Sequence, residues 1–116
     1  MAVAAYASPI FGTWKGELNG RPITITVTYT NRHTDVRMMD ASRELTVSNA
    51  KFANAPPTLL QFQAANQEGK AKLVSSGGSN LSFELETADG QVAALRVIDQ
   101  GKTIETVKMT KAPSAK

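Results

Sequence analysis

The sequence predicts an all-β domain: an antiparallel up-and-down meander of about 8–9 strands closing into a barrel, with a two-sheet β-sandwich as the alternative. Three observations carry that prediction. Turn-forming residues punctuate the chain at Asn19-Gly20, Asn31-Arg32-His33, Asp40-Ala41-Ser42, Asn54-Ala55-Pro56-Pro57, Asn66–Gly69, Ser76–Asn80, Asp89-Gly90 and Asp99-Gln100-Gly101. The segments between them run for about five to nine residues and alternate apolar with polar side chains. No segment keeps a 3.6-residue apolar period over three turns, and strands without intervening helices exclude a parallel α/β sheet.

The clearest strand is Pro22–Thr30, where Ile23, Ile25, Val27 and Tyr29 share one face and Thr24, Thr26, Thr28 and Thr30 the other. A helix would scatter those apolar groups around its circumference. Leu81–Glu86 repeats the pattern, with Leu81, Phe83 and Leu85 inward and Ser82, Glu84 and Glu86 outward. The weaker strands are Thr13–Leu18, Thr34–Met39, Glu44–Ser48, Thr58–Ala64, Lys70–Ser75, Gln91–Ile98 and Lys102–Thr110. Gln91–Ile98 is apolar on both faces, through Val92, Ala94 and Ile98 against Ala93, Leu95 and Val97. Lys102–Thr110 slips its alternation between Ile104 and Val107, which marks a bulge. Ser48–Asn54 reads equally as one helical turn or as a strand leading into Phe52. Asp89-Gly90 suits the two positive φ angles of a tight type I′ hairpin turn.

Length and charge narrow the classes. The 116 residues fit one domain. Residues 10–111 are expected to form the barrel, between a flexible arm over 1–9 and a frayed tail over 112–116. No apolar run approaches the ~20 residues of a transmembrane helix. Ala5-Tyr6-Ala7 has the form of a signal-peptidase site without a charged or apolar region before it. An arm is therefore expected there, and the compartment, exported or cytoplasmic, stays open. The absence of cysteine removes disulfides, thiolate ligands and cysteine nucleophiles together. A net charge of +3 invites a nucleic-acid reading, but residues 1–67 carry six basic and four acidic groups and residues 68–116 seven and six. Charges so interspersed form no basic stripe, and nucleic acid is not an expected partner.

Gly12-Thr13-Trp14-Lys15-Gly16-Glu17-Leu18, followed by a turn and the long alternating strand Pro22–Thr30, resembles the opening of lipocalins and related calycin barrels. It looks most like small bacterial lipocalin-like domains. The alternating end Glu105–Lys111 is similar to their last strand, which ends in a cation. The resemblance covers nearly the whole chain in rhythm and about seven residues in motif. It implies a closed barrel with Gly12 and Trp14 in structural roles, Trp14 sealing one end. In that family an arginine of the last strand packs across the tryptophan; here that strand offers Lys108 and Lys111, and Arg96 belongs to the strand before. A biotin-binding relative also begins Gly-Thr-Trp, but it lines its site with several tryptophans, and this chain has one.

Catalytic signatures are missing from the residues. His33, the one histidine, sits in a polar turn beside Arg32 and Asp35, where adjacent side chains rarely converge on a substrate. No Gly-x-Ser-x-Gly elbow is present, and one histidine without cysteine cannot assemble an imidazole or thiolate zinc site. Glu84 and Glu86 point to solvent, where carboxyl pKa values stay ordinary. Ser76-Gly77-Gly78-Ser79 feeds a strand rather than the helix N-terminus that phosphate loops serve.

The expected function is non-enzymatic binding of a small hydrophobic or amphipathic ligand inside the barrel, with no cofactor. Ile25, Val27, Tyr29, Met38, Phe62, Phe83 and Leu85 would line the site. The small residues Ala64, Ala71 and Ala94 would keep the core from filling. Tyr29 would be the polar anchor, and Arg96 would meet a carboxylate if its strand turned that face inward. The alternative is a protein-binding, inhibitor-like module with a solid core, working through the loop Phe52–Thr58 and the turn Asn31–His33. An enzyme that isomerises a ligand by shaping it comes third.

Overall fold

Alternation decides which side chains of a strand turn inward, and eight segments of this chain obey it. The computed structural model describes residues 10–18, 20–30, 33–53, 58–65, 81–99 and 101–112. Its strands are β1 (Gly12–Leu18), β2 (Arg21–Thr30), β3 (His33–Asp40), β4 (Arg43–Ala53), β5 (Thr58–Ala65), β6 (Leu81–Thr87), β7 (Val92–Asp99) and β8 (Lys102–Lys111). Each pairs antiparallel with the next, and β1 pairs with β8, so the meander closes into a barrel. Closure excludes the sandwich. The segment Lys70–Ser75, expected as a further strand, lies outside the described residues, as do the expected arm over 1–9 and most of the tail.

The inward rows form one core. Trp14 and Leu18 come from β1, Ile23, Ile25 and Val27 from β2, Val36 and Met38 from β3, and Leu45 from β4. Leu60, Phe62 and Ala64 follow from β5, Leu81, Phe83 and Leu85 from β6, Ala93, Leu95 and Val97 from β7, and Val107 and Met109 from β8. Phe62 and Phe83 stand opposite each other in the β5–β6 ladder and stack with ring centroids 5.4 Å apart. The two-faced strand β7 resolves in favour of Ala93, Leu95 and Val97. Ala94 lies on the outer row, contrary to its expected inward place, and Ala71 lies outside the described residues.

Two bulges bend the wall. Ser48–Asn54 is strand as far as Ala53: the β4–β5 register shifts between Ser48 and Lys51, with Asn49 at a positive φ of 56°. An asparagine tolerates that left-handed geometry better than most residues, and a bulge sharpens the local twist. In β8, Val97 faces Glu105 and Ile98 faces Thr103, so Ile104 is the extra residue. The slip in alternation at Ile104 therefore marks a bulge.

Among the described residues turn chemistry follows the sequence with one correction; the turns expected at Asn66–Gly69 and Ser76–Asn80 lie outside them. Gly20 and Gly101, each in a two-residue connection, take φ of 78° and 81°. The β6–β7 connection is not a type I′ turn. It spans Ala88–Gln91, and only Gly90 of the Asp-Gly pair has a positive φ. The Asp89 carboxylate instead accepts the backbone N–H groups of Gln91 and Val92 at 2.8 and 3.1 Å, while the Thr87 hydroxyl accepts from Gly90 N–H and donates to Val92 O. Side chains thus satisfy the loop that a tighter turn would have closed by itself.

Gly16 sets the approach of the first strand to the last. A Cβ placed there would lie 2.5 Å from Met109 Sδ and 2.8 Å from the Lys108 carbonyl oxygen. Gly16→Ala should therefore destabilise the fold by about 1–3 kcal/mol, the usual cost of forcing an extra carbon into a packed site, read as a lower denaturation midpoint in urea. Ala41, in the Ala41-Ser42 turn between β3 and β4, holds a φ of 57°. Left-handed backbone costs a residue with a Cβ about 1 kcal/mol, part of which glycine's freedom in the unfolded chain takes back. Ala41→Gly should stabilise the fold by about 0.5 kcal/mol, read as a higher midpoint in the same titration.

Candidate functional site

Loops alternate between the two mouths of an up-and-down barrel. One mouth gathers Phe11, Tyr29, the Ala88–Gln91 loop and Lys111; the other gathers Arg21, Asp40 and the ends of β5 and β7. The first mouth is covered. Ile10 and Trp14 are fully buried, and the indole N–H of Trp14 donates to the Ile10 carbonyl oxygen at 2.9 Å. Lys111 Nζ lies over the indole, 5.0 Å from the ring centroid, a cation–π distance. Burial holds the Lys111 ammonium below its ordinary pKa. Gly12 makes room for it: a Cβ at that position would come within 3.1 Å of Lys111 Cε. Each member of Gly12-x-Trp14-x-Gly16 therefore has its own steric task. Phe11 continues the cover by stacking on Tyr29, with ring centroids 5.7 Å apart.

Six of the expected lining residues come together. Ile25, Val27, Met38, Phe62, Phe83 and Leu85 all point into the barrel and are buried. Ile25, Val27, Met38 and Leu85 have no surface that water can reach, so no water-sized void borders them. Eight strands enclose an interior that side chains can just fill, and in this region they do.

Tyr29 and Arg96 lie elsewhere. Tyr29 belongs to the same row as Ile25 and Val27 but sits where β2 reaches the mouth, 38% exposed, because the row outruns the core. Arg96 is on the outer face, since β7 turns Leu95 and Val97 inward. There it joins a ladder across three strands: Gln61 Nε2 donates to Glu84 Oε2 at 2.9 Å, Arg96 Nε to Glu84 Oε1 at 3.1 Å and Arg96 Nη2 to Glu86 Oε1 at 2.7 Å. The ladder register sets Gln61 opposite Glu84 and Glu84 opposite Arg96, so the ladder brings these groups together. The Glu84 carboxyl does not keep an ordinary pKa. The Gln61 hydrogen bond lowers it most, the Arg96 guanidinium adds to that, and partial burial opposes both.

Several concavities mark the outside of the wall among the described residues, one of them, of about 420 Å³, between Val92–Ala94 of β7 and Thr106–Lys108 of β8, and two others bear on the site. One, of about 500 Å³, lies over the β4 bulge and its neighbours, where Asn49 donates to Gln63 at 2.6 Å and Lys51, Ser82 and Glu84 complete a polar surface. The other, of about 410 Å³, runs between Asp35–Arg37 of β3 and Glu44–Val47 of β4. It lies where the wall parts. β3 pairs with β2 along its whole length but with β4 only through Met38–Leu45, Met39–Glu44 and Asp40–Arg43. Just beyond the Met38–Leu45 pair, Arg37 clamps Glu44 through two hydrogen bonds of 3.0 Å, which raise the guanidinium pKa and lower that of the carboxyl. Sequence reasoning missed this parting and the clamp; the only signal was the broken alternation after Val47. His33 opens β3 as an exposed residue, and the turn residues 31–32 and the loop residues 54–57 lie outside the described residues.

Among the described residues no three His, Asp or Glu side chains gather where they could hold a metal ion. No helix there is long and apolar enough to cross a membrane. Comparison with protein-family models, curated proteins and solved structures gives no match.

The lowered Glu84 pKa has a sign. The folded state favours the ionised carboxylate, so its contribution is complete above the ordinary glutamate value near 4.5 and is lost as pH falls through the lower folded value. Urea midpoints taken from pH 6 downward should therefore fall more steeply below about pH 4.5 in the wild type than in Glu84→Gln. Equal slopes would show that the ladder carries no folding energy.

Proposed function

We propose that this chain is a lipocalin-like barrel that works as a non-enzymatic protein-binding module, through its rims and wall rather than its interior. The closed eight-strand meander, Trp14 on the first strand and the last-strand cation Lys111 across its ring support the lipocalin-like reading, with lysine in the place of arginine. One observation carries the choice of function: the side chains that would line an internal site are packed so closely that no water-sized void borders Ile25, Val27, Met38 or Leu85. A ligand would have to displace them, at the several kcal/mol that disrupting a packed core costs.

A second reading moves a small amphipathic ligand from the interior to the mouth. The exposed edge of the Tyr29–Phe11 stack favours it, since a tyrosine offers an apolar face and a polar tip in one place.

Thermal unfolding of the whole chain separates these readings. A protein-binding barrel should show no concentration-dependent rise in midpoint with fatty acids, retinoids or bile acids. A saturable rise would overturn it. If Tyr29→Ala abolished that rise, the ligand would belong at the mouth; if Leu85→Ala strengthened it, the ligand would enter the core.

A further inference from the structure

We infer that the parting between β3 and β4 is a strand-addition site, which takes an extended peptide segment of a partner protein along the open edge of β3. The inference rests on the protein-binding reading and gives it a place. Continued at the register of Met38–Leu45, Arg37, Val36 and Asp35 would face Thr46, Val47 and Ser48. Among the described residues those pairs are not formed, although β3 stays paired to β2 up to His33 and β4 stays paired to β5 up to Ala53.

The cause is local. The bulge at Asn49 sits in β4 beyond Thr46, and a bulge bends its strand and increases its twist. β4 is thereby drawn off β3 while both remain anchored on their far sides. The two edges are then unlike. β4 keeps its register with β5 only over Thr46–Ser48 before the bulge breaks it, whereas β3 keeps a regular ladder with β2 over all of His33–Arg37 and so presents the longer regular edge.

What such an edge recognises follows from its chemistry. Backbone N–H and C=O groups at strand spacing are complemented by another strand, and a lipid chain or a sugar does not reproduce that row. The groove along the edge also selects side chains. Val36 and Leu45 form a buried apolar floor and Val47 packs against the core beside them, while Asp35, Arg37 and Glu44 stand on the outer rim. The partner segment therefore alternates, with small apolar residues over Val36 and Leu45 and polar or charged residues between Asp35 and Arg37. About five residues match the length of the open edge.

The test uses the full chain and a displayed library of eight-residue peptides with alternating apolar and polar positions. A second protein carries Arg37→Cys with Thr46→Cys, which closes the parting when oxidised and reopens it with dithiothreitol. Peptides selected on the reduced variant should lose at least tenfold in affinity when it is oxidised and regain it with dithiothreitol. Methylating alternate backbone nitrogens of the peptide should cost a similar factor, because it removes donors without removing side chains. Peptides that bind the oxidised variant equally well overturn the site while leaving the protein-binding reading in place. Failure to select any peptide overturns the site, and saturable binding of fatty acids in the same preparation overturns both.

Discussion

Closure of the ring depends on the contact between the first strand and the last, and that contact is narrow. Among the described residues β1 and β8 share two ladder pairs, Trp14–Lys111 and Lys15–Thr110, extended by the bond from Ala112 N–H to the Thr13 carbonyl oxygen. Backbone pairing this short would leave two strand edges barely joined. What supplements it is steric fit: Met109 occupies the space that a side chain on Gly16 would take, and the lysine at the end of β8 lies across the ring at the start of β1. The interior depends on this arrangement, because an unclosed meander would expose the inward rows of β1 and β8 to water.

The wall is therefore uneven. β5, β6 and β7 are paired on both sides along most of their length, and the stacked pair Phe62–Phe83 and the polar ladder Gln61–Glu84–Arg96 lie within that firm half. The opposite half holds the short closure and the parted strands. Bulges have opposite uses in the two places. In β8 the extra residue Ile104 lies near the free end of the β7–β8 hairpin, where both faces of the strand meet solvent; in β4 the bulge sits against a strand that would otherwise be a full neighbour.

Much of the fold was legible because alternation and turn residues are local signals. Thr24, Thr26 and Thr28 against Ile23, Ile25 and Val27 leave a single choice of inward face, and closure is expected because an open meander of strands joined by tight turns would leave two edges ready to pair with other molecules. β7 was not settled in that way: Val92, Ala94 and Ile98 are as apolar as Ala93, Leu95 and Val97, and only the register with Leu85 and Val107 selects the second row. The position of Arg96 depended on the same choice. The parting between β3 and β4 was illegible for a different reason. It arises from competition between a bulge and a neighbouring ladder, and no single segment records the outcome of such a competition. Asp89-Gly90 failed as a tight turn because the Thr87 hydroxyl and the Asp89 carboxylate offered the backbone a wider loop.

The chain contains a single tryptophan, and Trp14 stands at the junction of β1 and β8 with a lysine above its ring. Its emission is thus a site-specific optical signal for the integrity of that junction, unmixed with contributions from any other indole. Fluorescence would follow the making and breaking of the ring in real time, while circular dichroism follows the strands as a whole. Any lag between the two signals during refolding would separate the growth of the meander from its final joining.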